Sequence, residues 1–442
     1  HGPYEASKEE ADAIFHARAR ELGIAWTIVN PSTVIGDSVT GESDQQIGFA
    51  DTVKQIWSGT VPALPGGAST FVPMITVDYL ASFMAAAAVD PSAAGKAYWV
   101  LDDSTPPLAE LLADVGQHLG AAVPRLRIPV GVLKRLPQWL TRADPETLTF
   151  MSTDRYPTRS ALDFAEQHGL TMPDVRVSLH RWADYLAAHR FGAATATDRR
   201  FVDFGGVRTF ELGEPGSERL ILPGLPVNAD TWAPIAGEIG ARAVDLPGLG
   251  LSGGVGTADW EHWLPAVLGA GRIDLIGHSL GAAAAVLAAD RFASRVRSLT
   301  LVAPFFLQPP AARTTRLRPL VGLALRHTDA AGLSRRLTGS SQSAAVLQTS
   351  VDDLRRHSAR RVAAQLAEAG SARWRGELRE ALTRFTGPIR IVTGGDDPLA
   401  PEALDQLRSL RNVELITIPG AGHHPQLTHG AALKDLLSGV RV

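Results

Sequence analysis

A serine flanked by small residues, Gly277-His278-Ser279-Leu280-Gly281, follows the apolar run Ile273–Ile276 and precedes the helix-forming run Ala282–Ala289. A serine on a strand-to-helix turn of this kind takes a strained backbone conformation, so its neighbours must be tiny. Gly277, Gly281 and Ala282 meet that need. The helix that follows directs positive dipole density toward charge developing near Ser279. A serine hydroxyl becomes a useful nucleophile only when a base takes its proton, and the base needs an acid to orient it. Two downstream segments offer both. Ile389–Val392 runs into Thr393-Gly-Gly-Asp-Asp397-Pro-Leu-Ala-Pro401, and Glu414–Ile418 runs into Pro419-Gly-Ala-Gly-His423-His424-Pro425. Asp397 is the expected acid, with Asp396 as the alternative. His423 is the expected base because it directly follows the tight Gly-Ala-Gly turn, with His424 as the alternative. His278 reads as a packing or pocket-wall residue. These positions lie just past strand carboxyl ends, where an open α/β sheet places its site.

The elements that must hold these residues are legible as short apolar strands. Phe201–Phe204 and Val207–Glu211 suggest a hairpin around Gly205-Gly206. Leu220–Leu222, Ala241–Val244 and Ser298–Val302 join the three strands already named. Helical stretches between most of them predict an α/β fold with a largely parallel sheet covered on both faces. Residues 304–386 stand apart, with 14 Arg, no Lys and 6 acidic residues. They read as helices inserted between two strands, a lid whose arginines either meet an anionic substrate or lie on solvated faces. Upstream, residues 192–199 are small, polar and patternless, as a linker is. Residues 1–191 form a second unit in which helices (5–22, near 107–119) alternate with short strands (Ile24–Val29, ended by Asn30-Pro31, and Tyr98–Leu101).

Along its whole length the 200–442 segment resembles the α/β-hydrolase superfamily. Besides the serine turn, Leu222-Pro-Gly-Leu225 with Trp232 resembles that family's oxyanion loop, and Val244-Asp-Leu-Pro-Gly-Leu-Gly-Leu-Ser252 resembles its next strand and loop. The resemblance implies that the backbone N–H groups of Leu225 and Leu280 hold a tetrahedral oxyanion. Pro223 stands where many relatives carry His. The expected activity is cleavage of an ester or thioester through an acyl-enzyme on Ser279, with no cofactor and no metal.

Tyr4-Glu-Ala-Ser-Lys8 is a Y-x-x-x-K pattern entering a helix, where positions i and i+4 share a face. An ammonium so placed lowers a phenol's pKa for proton exchange with a carbinol oxygen. Together with Ile28-Val-Asn-Pro-Ser-Thr-Val-Ile-Gly36-Asp-Ser, Val72-Pro-Met-Ile-Thr-Val-Asp78 and the Tyr98–Leu101 strand, the pattern resembles the distal part of an extended short-chain dehydrogenase/reductase, and its Val-Ile-Gly-Asp-Ser stretch is similar to the fatty acyl-CoA or thioester reductase branch. The resemblance makes Tyr4 and Lys8 a partial or vestigial site. NAD(P) is expected only if a Gly-rich first βα turn, absent from these residues, stands in a longer chain. The alternative functions are a bifunctional acyl reductase/hydrolase fusion and a non-catalytic scaffold of hydrolase fold.

Composition narrows the remaining classes. A net charge of −3 argues against nucleic acid or an anionic membrane as the main partner. The chain has no cysteine, which excludes disulfides and thiolate sites and fits a cytoplasmic location. No apolar run reaches the roughly 18 residues of a membrane span.

Overall fold

In the computed structural model, residues 3–439 are described apart from 45, 62, 125, 134–152, 195–197 and 310–316. The chain divides into two compact units, His1–Ala194 and Thr195–Val442.

The second unit is built on one eight-stranded sheet. Its strands are β1 (Arg199–Phe204), β2 (Val207–Gly213), β3 (Arg219–Leu222), β4 (Arg242–Val244), β5 (Ile273–His278), β6 (Val296–Val302), β7 (Ile389–Gly394) and β8 (Val413–Ile418). Their order is β8-β7-β6-β5-β3-β4-β2-β1. The β1–β2 hairpin and the β2–β4 pair are antiparallel; every other pair is parallel. The central strands are buried on both sides, with Leu220, Leu275, Leu301 and Ile391 fully enclosed. That is why they read as continuous apolar runs rather than alternating ones.

Helices α1 (Ala233–Ile239), α2 (Trp260–Leu268) and α3 (Leu280–Arg291) follow β3, β4 and β5. The run of alanines in α3 has a packing reason. Ala282, Ala283, Ala284 and Ala285 are all fully buried, because α3 lies between the sheet and neighbouring helices and a larger side chain would push one of them away.

Between β6 and β7 the chain forms α4 (Arg318–Arg326), α5 (Ala330–Thr338), α6 (Ala344–Asp353), a π-helical turn (Leu354–Ser358), α7 (Ala359–Ala369) and α8 (Ala372–Arg384). The last of these differs from the others. Arg384 of α8 makes a two-pronged ion pair with Asp290 of α3, at 2.7 and 2.8 Å. Thus α8 covers the sheet, and the cap proper comprises α4–α7. Part of the expected inserted segment, residues 310–316, lies outside the described residues.

In the first unit, helix Pro3–Leu22 precedes strand Thr27–Pro31, which pairs in parallel with Lys96–Val100. Two further parallel pairs are Thr33–Ile35 with Met74–Thr76, and Leu64–Pro65 with Arg127–Ile128. The first strand starts later than the apolar run suggests. Ile24 is used to close the helix, its N–H reaching Ala19 O at 3.0 Å past the left-handed Gly23. It also extends through Pro31, which an edge position tolerates because no neighbour requires its missing N–H. Two of the stretches that carry the reductase resemblance touch: Ser38 donates to Asp78 from its backbone N–H (2.9 Å) and its hydroxyl (2.6 Å).

Candidate active site

Ser279 occupies the junction of β5 and α3 with φ 49° and ψ −108°, a region that L residues rarely enter. Two things hold it there. Its N–H donates to Val302 O at 2.9 Å, tying the turn to β6. The chain also passes so close to β3 that a Cβ on Gly281 would lie 1.9 Å from Leu222 O. Only glycine fits at that point.

The two downstream loops bring their side chains to this serine. His423 Nε2 is 2.9 Å from Ser279 Oγ, and His423 Nδ1 is 2.8 Å from Asp397 Oδ2. The alternatives are placed differently. Asp396 is solvent-exposed, whereas its neighbour Asp397 points at the imidazole. His424 is buried, its ring 5.0 Å from that of His278, and its Nδ1 faces Gln426 rather than Ser279. Burial beside two other imidazoles holds His424 well below the ordinary histidine range.

His278 has a more definite part than wall packing. Its Nδ1 accepts from Gly224 N–H at 3.2 Å, and its Nε2 lies 2.9 Å from His423 O. These partners fix the neutral tautomer with the proton on Nε2. Burial first, and the neighbouring His423 second, push its pKa down to about 3. A single uncharged ring therefore joins the loop after β3 to the loop that carries His423. The same loop abuts the nucleophile: a Cβ on Gly224 would fall 2.5 Å from Ser279 Cβ. Leu225 follows directly, and Leu280 is the first residue of α3; both are buried.

Gln308, just past β6, escaped the sequence reading. Its amide Nε2 donates to Asp397 Oδ2 and stands 3.2 Å from His423 Nδ1. Its backbone carbonyl accepts from Arg375 of α8, a buried guanidinium. The preceding carbonyl, Leu307 O, accepts from Ala400 N–H at 2.8 Å on the loop that carries the acid. No motif marks Gln308. Its one sequence signal is a lone amide after the buried Phe305–Leu307 run.

A second polar knot ties the cap to the core. Asn228 Nδ2 donates to Asp353 Oδ2 at 2.8 Å, and Ser350 donates to Asn228 Oδ1 at 3.0 Å. Nearby, Asp245 is fully buried and accepts from Ala229 N–H (2.7 Å) and Leu251 N–H (2.8 Å). Burial, and then the charge of Asp353, raise its pKa to about 7.

Residues 220–436 match the family described as the alpha/beta hydrolase family. A pimeloyl-[acyl-carrier protein] methyl ester esterase from Neisseria meningitidis serogroup A is 30% identical over 241 residues, covering 50% of this chain and 72% of the relative. The chain belongs to the alpha/beta hydrolase family. It is accordingly a hydrolase. A dihydrolipoyllysine-residue acetyltransferase component of an acetoin cleaving system from Pseudomonas putida is 27% identical over 55% of this chain and 70% of its own. Among solved structures, a thermophilic esterase from Thermogutta terrifontis aligns at TM-score 0.43 and 19% identity, over 55% of this chain and 97% of its own.

Residues 1–84 match a second family, described as male sterility protein, so the hydrolase is fused to part of a short-chain reductase fold. Tyr4 and Lys8 lie on helix Pro3–Leu22; Lys8 is exposed, and the side chain of Tyr4 lies outside the described residues. Two strand-to-helix passages of this unit can be compared with the turn that holds a dinucleotide. Strand Met74–Thr76 enters helix Val77–Val89 directly, and Lys96–Val100 reaches helix Leu108–His118 through Leu101–Pro107, with no glycine in either passage. Neither makes the tight Gly-rich turn that cradles a pyrophosphate. Among the described residues no helix is long and apolar enough to cross a membrane.

Proposed function

We propose that this hydrolase cleaves an acyl ester or thioester through a covalent intermediate on Ser279, with His423 as base and acid and Asp397 as its orienting carboxylate. The observation that carries the reading is the unbroken chain Ser279 Oγ, His423 Nε2, His423 Nδ1, Asp397 Oδ2, at 2.9 and 2.8 Å. The named activity of the Neisseria relative, a methyl ester esterase, supports an ester as the scissile bond.

In the acylation half, the Ser279 Oγ–H bond breaks as Oγ attacks the acyl carbon, and the proton passes to His423 Nε2. Asp397 holds Nδ1–H and so leaves Nε2 free to accept. The carbonyl oxygen becomes an oxyanion facing the backbone N–H groups of Leu225 and Leu280, donors of a kind that each contribute about 3 kcal/mol. Collapse expels the alkoxide or thiolate, which takes the proton from Nε2. Water then attacks the acyl-Ser279 ester, giving its proton to the same nitrogen, and Ser279 leaves with that proton restored.

A fluorophosphonate probe tests the reading. The expected result is a single covalent adduct on Ser279, absent from the Ser279→Ala protein. A folded protein that stays unlabelled, or that labels elsewhere, overturns it. Turnover of graded acyl esters against acyl-CoA thioesters then distinguishes the two leaving-group classes.

A further inference from the structure

The cap contains a cavity of about 620 Å³ that none of the chemistry above uses. Its wall carries five arginines: Arg318 and Arg326 from α4, Arg355 and Arg356 from the π-helical turn, and Arg360 from α7. Among the described residues no acidic side chain lines it. Two of the guanidinium groups are held by carbonyl oxygens, Arg355 by Thr328 O at 2.9 Å and Arg356 by Gly250 O at 3.3 Å. Arg318, Arg326 and Arg360 form no ion pair among the described residues, unlike Arg373 and Arg384, which reach Glu377 and Asp290.

The backbone converges to concentrate this charge. Gly322 of α4 lies against Ala359, Arg360 and Ala363, so α4 and α7 approach closely with arginines on both sides of the contact. A π-helical turn widens the helix at that point, a deviation that recurs at functional sites. Arg318, Arg326, Arg355 and Arg360 are exposed, so water and salt screen their mutual repulsion, and an anion seated among them meets several cationic groups at once. Planar guanidinium forks match phosphate oxygens in pairs. Leu323 lines the same cavity and is 58% exposed, giving an apolar rim beside the charged floor.

We propose that this cavity is a binding site for a phosphate-bearing organic anion, distinct from the Ser279 site. The shared chemistry is the phosphate group. It comes from one of two sources: a free polyphosphate compound, or the phosphorylated handle of an acyl thioester. The site stands whether or not Ser279 proves to be the nucleophile, because its test reads binding alone.

The experiment is isothermal titration of the full chain with inorganic pyrophosphate and, separately, with coenzyme A. Both are expected to bind, more weakly as salt rises. The Arg326→Gln/Arg360→Gln protein is expected to bind about a hundredfold more weakly, two charge-assisted contacts being lost. Arg326→Lys/Arg360→Lys separates charge from fold, and retention of part of the affinity with an unchanged circular dichroism spectrum supports the site. Arg373→Gln, which removes an exposed charge of α8 outside the cavity, leaves binding as in the parent. Coenzyme A binding at least tenfold tighter than pyrophosphate assigns the phosphorylated handle; equal binding assigns a free polyphosphate. No heat with either compound at millimolar concentration overturns the proposal. So does an Arg326→Gln/Arg360→Gln protein that binds as the parent does, or an Arg373→Gln protein that loses as much.

Discussion

Replacing His278 by Gln changes how acid unfolds this protein, by an amount the site geometry sets. The folded ring accepts a proton from Gly224 N–H and faces His423 O, so a second ring proton would meet a donor head on. Its pKa falls from 6.5 to about 3. The sign follows from linkage. As pH drops through 6.5 the unfolded chain takes a proton on this imidazole, while the folded chain does not until about pH 3. Stability is full above 6.5 and is lost as pH falls, by about 1.4 kcal/mol per unit. Between pH 7 and pH 5 the loss is on the order of 2 kcal/mol. Gln cannot be protonated and keeps a donor for His423 O, so His278→Gln carries a pH-independent offset instead. Urea unfolding of parent and variant at pH 7, 6 and 5 measures the difference, which should shrink by that amount toward acid. Imidazole ¹⁵N spectra give the direct readout, with the His278 signal identified by its loss in the variant and remaining neutral down to pH 4. A ring that titrates near pH 6.5, or a variant that loses stability in acid as steeply as the parent, refutes the reasoning.

Asp397→Asn is expected to slow fluorophosphonate labelling about ten-thousandfold by favouring the wrong tautomer of His423, whereas Asp396→Asn leaves the rate within about twofold because that carboxylate faces solvent. Gln308→Ala removes a donor from the Asp397 carboxylate and should lower kcat/KM by about ten- to a hundredfold, from a loss of roughly 1.5–3 kcal/mol. A Gln308→Ala protein that turns over as the parent does contradicts the assigned contact.

Some of this was readable from sequence because it is written in local rules. A nucleophile turn demands residues without side chains on either side, and Gly277 and Gly281 advertise it. Strand ends followed by Gly-Gly-Asp-Asp397 and Gly-Ala-Gly-His423 advertise the next two positions. Gln308 and His278 act through contacts with residues 89 and 145 positions away, and no spacing rule reports those. The role of α8 was hidden for a similar reason. Its arginines look like those of α4–α7 in composition, and only the pairing of Arg384 with Asp290 shows that it belongs to the sheet layer. In the first unit, the strand at Thr27 was misplaced because Ile24 is apolar in sequence yet committed to a helix end.

The Gln308–Arg375 contact brackets the cap. Gln308 precedes the insertion and Arg375 lies on the helix that returns from it, so the chain is fastened at its root before and after α4–α7. This makes the stretch between them an exchangeable module. A foreign cap grafted between residues 317 and 371 leaves the support of Asp397 intact, while a splice placed before Gln308 or beyond Arg375 removes it.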